Sequence, residues 1–236
     1  KRSALEADGR HFRSWLEAGY HGSMTYLEIS ERVRCDPGHP SMLPGVHSVL
    51  ALAAPYGTQN QEQTRFQGRF ARYARGRDYH NILYKRVKKI AALLQKDGYR
   101  SRCCVDSMPV LERAWARNAG LGFVGKNCCL IVPGLGSYVF LATVLTTAEL
   151  DPDEPLKQEC GQCEICLKHC PTGALPCAYR LDARRCISYL TGVHRGSIPN
   201  GFRSPIGNRL LGCDACQEAC PHNHIENNDR DLESVL

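Results

Sequence analysis

No uncharged apolar run in the 236 residues comes near the roughly 18 that a helical membrane span requires, so no membrane partner is expected. Low-complexity tracts are lacking too, and a composition of 43% hydrophobic and 23% charged residues excludes a disordered chain. Charge of one sign is in small excess only: 30 Lys and Arg against 24 Asp and Glu leave +6. That balance permits a phosphate-rich partner and falls short of a protein that coats nucleic acid. The length excludes two equal large domains and favours a main domain with a small appendage.

What the chain does have is cysteine: 14 residues, nine of them from Cys160 to Cys220. A disulfide scaffold would be short and secreted, whereas the first part of this chain is full-sized and apolar. With no signal peptide read, the expectation is metal ligation in a reducing, cytoplasmic setting.

Periodicity predicts a helix over residues 4–18, where Leu5, Phe12, Trp15 and Leu16 share a face before Gly19 and Gly22. A buried strand is expected at Val46–Ala54, ended by Pro55-Tyr56-Gly57. The segment Asn81–Asp97 reads as an amphipathic helix with Ile82, Val87, Ile90, Leu93 and Leu94 inward and Gly98 as its stop. Short strands follow at Arg102–Val105, Cys128–Val132 and Tyr138–Thr146, with a helix at Val110–Asn118. Arg65, Arg69, Arg72 and Arg75, interleaved with Phe66, Phe70 and Tyr73, have helical spacing. The fold class expected is an α/β (α+β) layered domain over residues 1–155, then a small ferredoxin-like domain over 156–236. The boundary is read at the acidic, Pro-containing stretch Asp151-Pro152-Asp153-Glu154-Pro155, and bound metal is expected to stabilise the loop-rich remainder.

Cys160, Cys163, Cys166 and Cys170-Pro171 carry the bacterial ferredoxin spacing, in which three thiolates wrap one cubane and the fourth reaches a second cluster. Cys213, Cys216 and Cys220-Pro221 repeat the tail of that run, and Cys186 fills the missing place. The crossing rule therefore assigns Cys160, Cys163, Cys166 and Cys220 to one four-iron four-sulfur cluster. Cys170, Cys186, Cys213 and Cys216 go to the other. Four-cysteine zinc knuckles are the alternative. Cys35, Cys103, Cys104, Cys128, Cys129 and Cys177 stay unassigned, the two adjacent pairs among them reading as small buried hydrophobes in strands.

Gly120 to Gly125 satisfies G-x-G-x-x-G, yet it follows a helix and precedes a strand, the reverse of the dinucleotide fingerprint. A glycine-rich turn accounts for it as well as a ligand loop does.

The string from Cys104 to Arg113, then Gly120–Asn127, then the two cysteine groups bridged by Leu181–Thr191 and Ile206–Arg209, resembles the epoxyqueuosine reductases. Gly22-Ser23-Met24, Arg34 before Leu43-Pro44-Gly45, and Asp78-Tyr79-His80 agree with it. His222 departs from the Trp usual after the last Cys-Pro. The resemblance implies a cobalamin-dependent, two-cluster enzyme that converts epoxyqueuosine to queuosine in the wobble position of certain tRNAs. It implies a cobalamin-binding α/β domain, with cofactor contacts at Arg34, Asp106, Lys126, Asn127, Ser188, Asp214 and Ala215. The implied partners are a tRNA anticodon stem-loop, toward which Arg184, Arg185, Arg195, Arg203 and Arg209 add positive charge, and an external electron donor. Asp106 is the implied catalytic acid, expected to keep its proton through desolvation at the end of an apolar strand; turn formation before Pro109 is the structural alternative. A corrinoid reductase of a small molecule and a two-cluster electron carrier are the competing functions.

Overall fold

The computed structural model describes residues 5–56 and 67–223. At its centre lies an antiparallel sheet ordered β1-β6-β3, formed by Ser48–Pro55 (β1), Val139–Thr146 (β6) and Ser101–Cys104 (β3). β6 is flanked on both sides, with Thr146 opposite both Ser48 and Ser101. Such a strand has both edges paired and, where both faces are covered, reads as one apolar run, which is how Val139–Thr146 reads.

Alternation along β6 divides the core. Phe140, Ala142 and Val144 face the long helix α4, Tyr79–Lys96, and pack with its Leu83, Val87 and Ala91. Leu145 faces the other way, to Leu5, Cys104, Val110 and Trp115, where helix α5 (Glu112–Asn118) packs. Helices thus cover both faces of the sheet in a mixed α/β fold. The stripe of α4 differs by one turn position from the expected one, because Leu93 is 67% exposed and Ala91 takes the inward place. Asp78 caps the helix by accepting the His80 amide at 3.0 Å.

Before the sheet lie α1 (Glu6–Glu17), α2 (Thr25–Ile29) and α3 (Glu31–Cys35). The arginine-rich stretch is not helical where it is described: Arg69–Phe70 is a short strand, β2, and Arg72–Ala74 a single 3₁₀ turn. Arg65 and Phe66 lie outside the described residues. After α5, Phe123–Val124 (β4) and Leu130–Ile131 (β5) form a two-stranded hairpin. A Cβ at Gly122 would run into the Ile131 carbonyl, and Gly120 has φ +67° with the Glu154 carbonyl 2.5 Å from its Cβ position. Packing thus requires glycine at 122 against the hairpin and at 120 against the segment that holds Glu154.

Residues 151–160 form no helix or strand, and residues 151–159 are exposed. Beyond them come short helices, α6 (Ile165–His169), α7 (Ile187–Gly192), α8 (Asn200–Ile206) and α9 (Ala215–Glu218), with strand β7 (Arg209–Leu211). This part interlocks with the first. β7 pairs in parallel with β2, and the small core of Ala183, Ile187, Tyr189, Leu190 and Ile206 takes in Trp15 and Met24. Arg69 and Glu218 add an ion pair at 2.7 Å across the same junction.

Candidate active site and cluster-binding centre

Strand β3 stops at Cys104, and the chain turns sharply two residues later. Asp106 has φ +47°, a left-handed conformation that costs a residue bearing a Cβ about 1–2 kcal/mol. The Ser107 amide donates to the Val105 carbonyl at 2.6 Å, closing a three-residue γ-turn with Asp106 at its apex. The Asp106 amide itself donates to Glu112 Oε1 at 3.0 Å.

The side chain of Asp106 points outward. It is 57% exposed, and its Oδ2 lies 2.9 Å from His80 Nε2, while His80 Nδ1 lies 2.7 Å from Asp78 Oδ1. Burial works against a charged His80, but hydrogen bonds to Asp106 and Asp78 outweigh it and raise the imidazole above its ordinary value. Asp78 is lowered in return by its hydrogen bond to His80. Tyr79 stacks on Phe140 with ring centroids 3.9 Å apart, and burial, with Asp106 beside its hydroxyl, pushes the phenol upward.

The expectation of a desolvated Asp106 is corrected here. The carboxyl that burial affects at this corner is Glu112, the first residue of α5, which is pushed up to about 7. Its amide donor at Asp106 and the charges of Arg113 and Arg34 act in the opposite direction, and the Asp106 charge adds to the rise. Arg34, on α3, is brought to the same corner: burial lowers its guanidinium, with Tyr26, Glu112 and Asp106 opposing, and its Nε donates to Ser30 Oγ at 2.8 Å.

The other expected contacts gather at the junction of hairpin and α9. Asn127 is buried, accepts the Cys129 amide at 3.2 Å and reaches the Cys216 carbonyl at 3.4 Å. Asp214 is buried, and its Oδ2 accepts the Arg72 amide at 2.8 Å; burial raises its carboxyl. Ala215 is buried beside it as the first residue of α9. Lys126 contributes its carbonyl to the Tyr179 amide at 3.1 Å. Tyr73 feels both regions: its phenol is raised by burial and by the charges of both Asp214 and Asp106. Ser188 is the second residue of α7.

The thiols fall into two groups. Cys166 has Cys160, Cys220 and Cys163 as its electrostatic neighbours, and Cys220 has Cys160, Cys163 and the unassigned Cys129. Cys186 has Cys213 and Cys170, while Cys216 has Cys186 and Cys213. Backbone amides point at the sulfurs. Ala174 donates to Cys170 Sγ at 3.3 Å, Leu167 to Cys166, Ala215 to Cys213, His222 to Cys220, and both Ser188 and Tyr189 to Cys186. Thiols ringed by N–H donors, deprotonated on binding iron, would be the donor set that an iron–sulfur cluster takes.

Several residues at the site carried no assigned role in the sequence. Glu112 and His80 touch Asp106, and Cys129, from an adjacent cysteine pair, shares a hydrogen bond with Cys216. The Asp78-x-His80 spacing is a helix-cap signal that could have pointed to His80. Of the basic residues expected to face RNA, Arg184 pairs with Asp182 at 2.8 Å, and Arg185, Arg203 and Arg209 donate to backbone carbonyls. Among the described residues, no helix is long and apolar enough to cross a membrane.

Residues 159–223 match the family model described as a 4Fe-4S double cluster binding domain. Residues 34–107 match that of epoxyqueuosine reductase QueG, DUF1730. The chain is 45% identical over 229 residues to the epoxyqueuosine reductase of Xanthomonas campestris, covering 93% of itself and 63% of that protein. It is 43% identical to that of Pseudomonas aeruginosa, covering 91% of itself and 61% of the relative. An epoxyqueuosine reductase crystallised with a tRNA-Tyr epoxyqueuosine-modified stem loop superposes with a TM-score of 0.89 at 36% identity, over 98% of this chain and 61% of that one. The Bacillus subtilis enzyme, solved with its catalytic aspartate loop swung out of the active site, gives 0.86 at 35% identity, over 96% and 60%. The chain spans about three-fifths of the length of these relatives, and over nearly all of its own length it is similar in sequence and fold to epoxyqueuosine reductases.

Proposed function

We propose that the chain carries out epoxyqueuosine reduction on a tRNA anticodon stem-loop, with two four-iron four-sulfur clusters, cobalamin and an external electron donor. Residues 156–236 would hold the clusters through the two thiol groups, and residues 1–155 would hold most of the cobalamin. Bound clusters would supply single electrons, and bound cobalamin the electron pair that the reduction takes.

Conversion of an epoxide to an alkene with loss of water takes two electrons and two protons, and oxygen leaves poorly as an alkoxide. The chain's own part is to deliver a proton there. Asp106 would pass on the proton that the His80 imidazolium holds, and the observation that carries the reading is its exposed carboxyl hydrogen-bonded to His80 on a strained turn. Exposure gives substrate access to the acid, and His80, tied in turn to Asp78, gives it a neighbour through which a proton is restored. Arg34 supplies positive charge at the same corner.

For cobalamin, the fit rests on polar groups at the junction. The buried hydroxyl of Tyr138 has no hydrogen-bond partner among the described residues, and Arg72 lies over its ring at 4.3 Å. Asp214 and Asn127 line the same junction. A corrin, whose periphery carries amides, would pair with such groups, with Lys126, Ser188 and Ala215 as further contacts.

The test is Asp106→Asn in the anaerobically prepared protein, with cobalt kept reduced. Turnover of epoxyqueuosine in tRNA should fall at least about a hundredfold while iron content and tRNA affinity hold. Near-normal turnover would remove Asp106 from the chemistry. Cobalamin titration should give a saturable change in the visible spectrum; a flat titration with clusters intact would favour an electron carrier.

A further inference from the structure

Asp106 occupies a backbone region that L residues avoid, and something must hold it there. The γ-turn hydrogen bond from Ser107 to Val105 pins one side of the apex. On the other side the Asp106 amide donates to the side chain of Glu112, six residues later, at 3.0 Å. Glu112 is half-buried as the first residue of α5, and that helix is anchored by Ala114, Trp115 and Ala116, all buried. Its carboxyl faces Arg34 from α3, Tyr79 from α4, Cys104 from β3 and its own neighbour Arg113. An acceptor fixed to the rigid end of a packed helix thus grips the apex of a strained turn.

We propose that Glu112 is a positioning residue: its carboxyl fixes the left-handed turn that carries Asp106 and so sets where the Asp106 carboxyl points. Without that acceptor the Asp106 amide loses its partner, the turn relaxes toward ordinary backbone angles, and the carboxyl leaves His80. The inference rests on the reading of Asp106 as the proton donor, but the conformation of the turn can be read independently of turnover.

The experiment uses the full, cluster-loaded chain as the parent, Glu112→Gln and Glu112→Ala, with amide hydrogen exchange over residues 103–109 measured beside kcat and KM. Loss of one hydrogen bond of ordinary strength corresponds to about a tenfold shift in the opening equilibrium, so the Ala variant should exchange about tenfold faster at Asp106. Its kcat should fall by a similar factor with KM little changed. Glu112→Gln keeps an acceptor oxygen in place and should restore both exchange and kcat. Unchanged exchange in the Ala variant, or a Gln variant as fast as the Ala variant, overturns the proposal. If the Ala variant does not fold, the Gln variant decides alone: parent-like exchange supports the acceptor role, and faster exchange refutes it. Should Asp106→Asn retain turnover while exchange responds as expected, the reading of Asp106 fails and the placement by Glu112 stands.

Discussion

The Ser23 amide donates to the phenolic oxygen of Tyr189 at 2.8 Å, joining the turn after α1 to helix α7 across 166 positions of sequence. The Ser23 hydroxyl makes a second contact with the same oxygen at 2.8 Å. Gly22, at φ +62°, leaves the room for this: a Cβ there would stand 2.6 Å from the Tyr189 hydroxyl. Trp15 Nε1 adds a hydrogen bond to the Leu181 carbonyl at 2.6 Å. The N-terminal helices are therefore fastened to the cysteine-rich part as well as to the sheet.

Removing the phenol from this latch should cost about 1–2 kcal/mol, because Tyr189→Phe leaves a partly buried amide without its acceptor. Gly22→Ala should cost more, since the left-handed angle and the displaced tyrosine add. Unfolding of the cluster-loaded protein, followed by near-ultraviolet circular dichroism without air, gives the order. A Tyr189→Phe variant as stable as its parent would mean the latch contributes nothing.

Glu112 gives stability a pH dependence of definite sign. Its folded value of about 7 lies above the ordinary 4.5, so on raising the pH the unfolded chain loses this proton first. The unfolded state then binds fewer protons than the folded one, and stability falls with pH through that window. The fall attributable to this group is on the order of 2 kcal/mol after allowance for its partial exposure. Glu112→Gln should flatten the curve between pH 4.5 and 7 relative to the parent, and two parallel curves would contradict the assignment.

The sheet was readable because its central strand is determined by local pattern: Phe140, Ala142 and Val144 alternate with Leu141, Thr143 and Leu145 whatever lies elsewhere in the chain. The end of α4 was readable from Gly98, whereas its start, expected at Asn81, lies at Tyr79 behind the Asp78 cap. Arg69, Arg72 and Arg75 misled, since helical spacing in the sequence was overridden by pairing of β2 with β7, some 140 residues away. Asp106 could be singled out, but not its surroundings. Whether a carboxyl at the end of a strand is buried depends on the tertiary path of the turn, and here that path turns Asp106 outward and half-buries Glu112.

His80 should titrate above the ordinary histidine value, because hydrogen bonds to Asp106 and Asp78 outweigh the effect of burial. Any stability it lends is present below the unfolded value and fades as pH rises through the folded one. Heteronuclear NMR on labelled protein should find Asp78→Asn and Asp106→Asn each lowering the imidazole value, and the double variant lowering it furthest. A value that ignores both substitutions would break the chain of three residues.

The grouping of thiols makes a prediction about pairs of substitutions that no single substitution tests as well. Cys220 lies in sequence beside Cys213 and Cys216, yet its neighbours in space are Cys160 and Cys163; the arrangement of Cys170 with Cys213 and Cys186 is the mirror case. If each group holds one four-iron cluster, Cys163→Ser and Cys220→Ser damage the same object. The double variant should then lose no more than either single one, leaving about four irons of about eight. Cys213→Ser with Cys220→Ser strikes both groups and should leave almost none. Grouping by sequence predicts the opposite: the first pair strips both clusters and the second pair only one. Iron and acid-labile sulfide measured on the two single variants, the two double variants and the parent, all purified without air, distinguish the two arrangements, and zinc in place of iron in the parent would dispose of both.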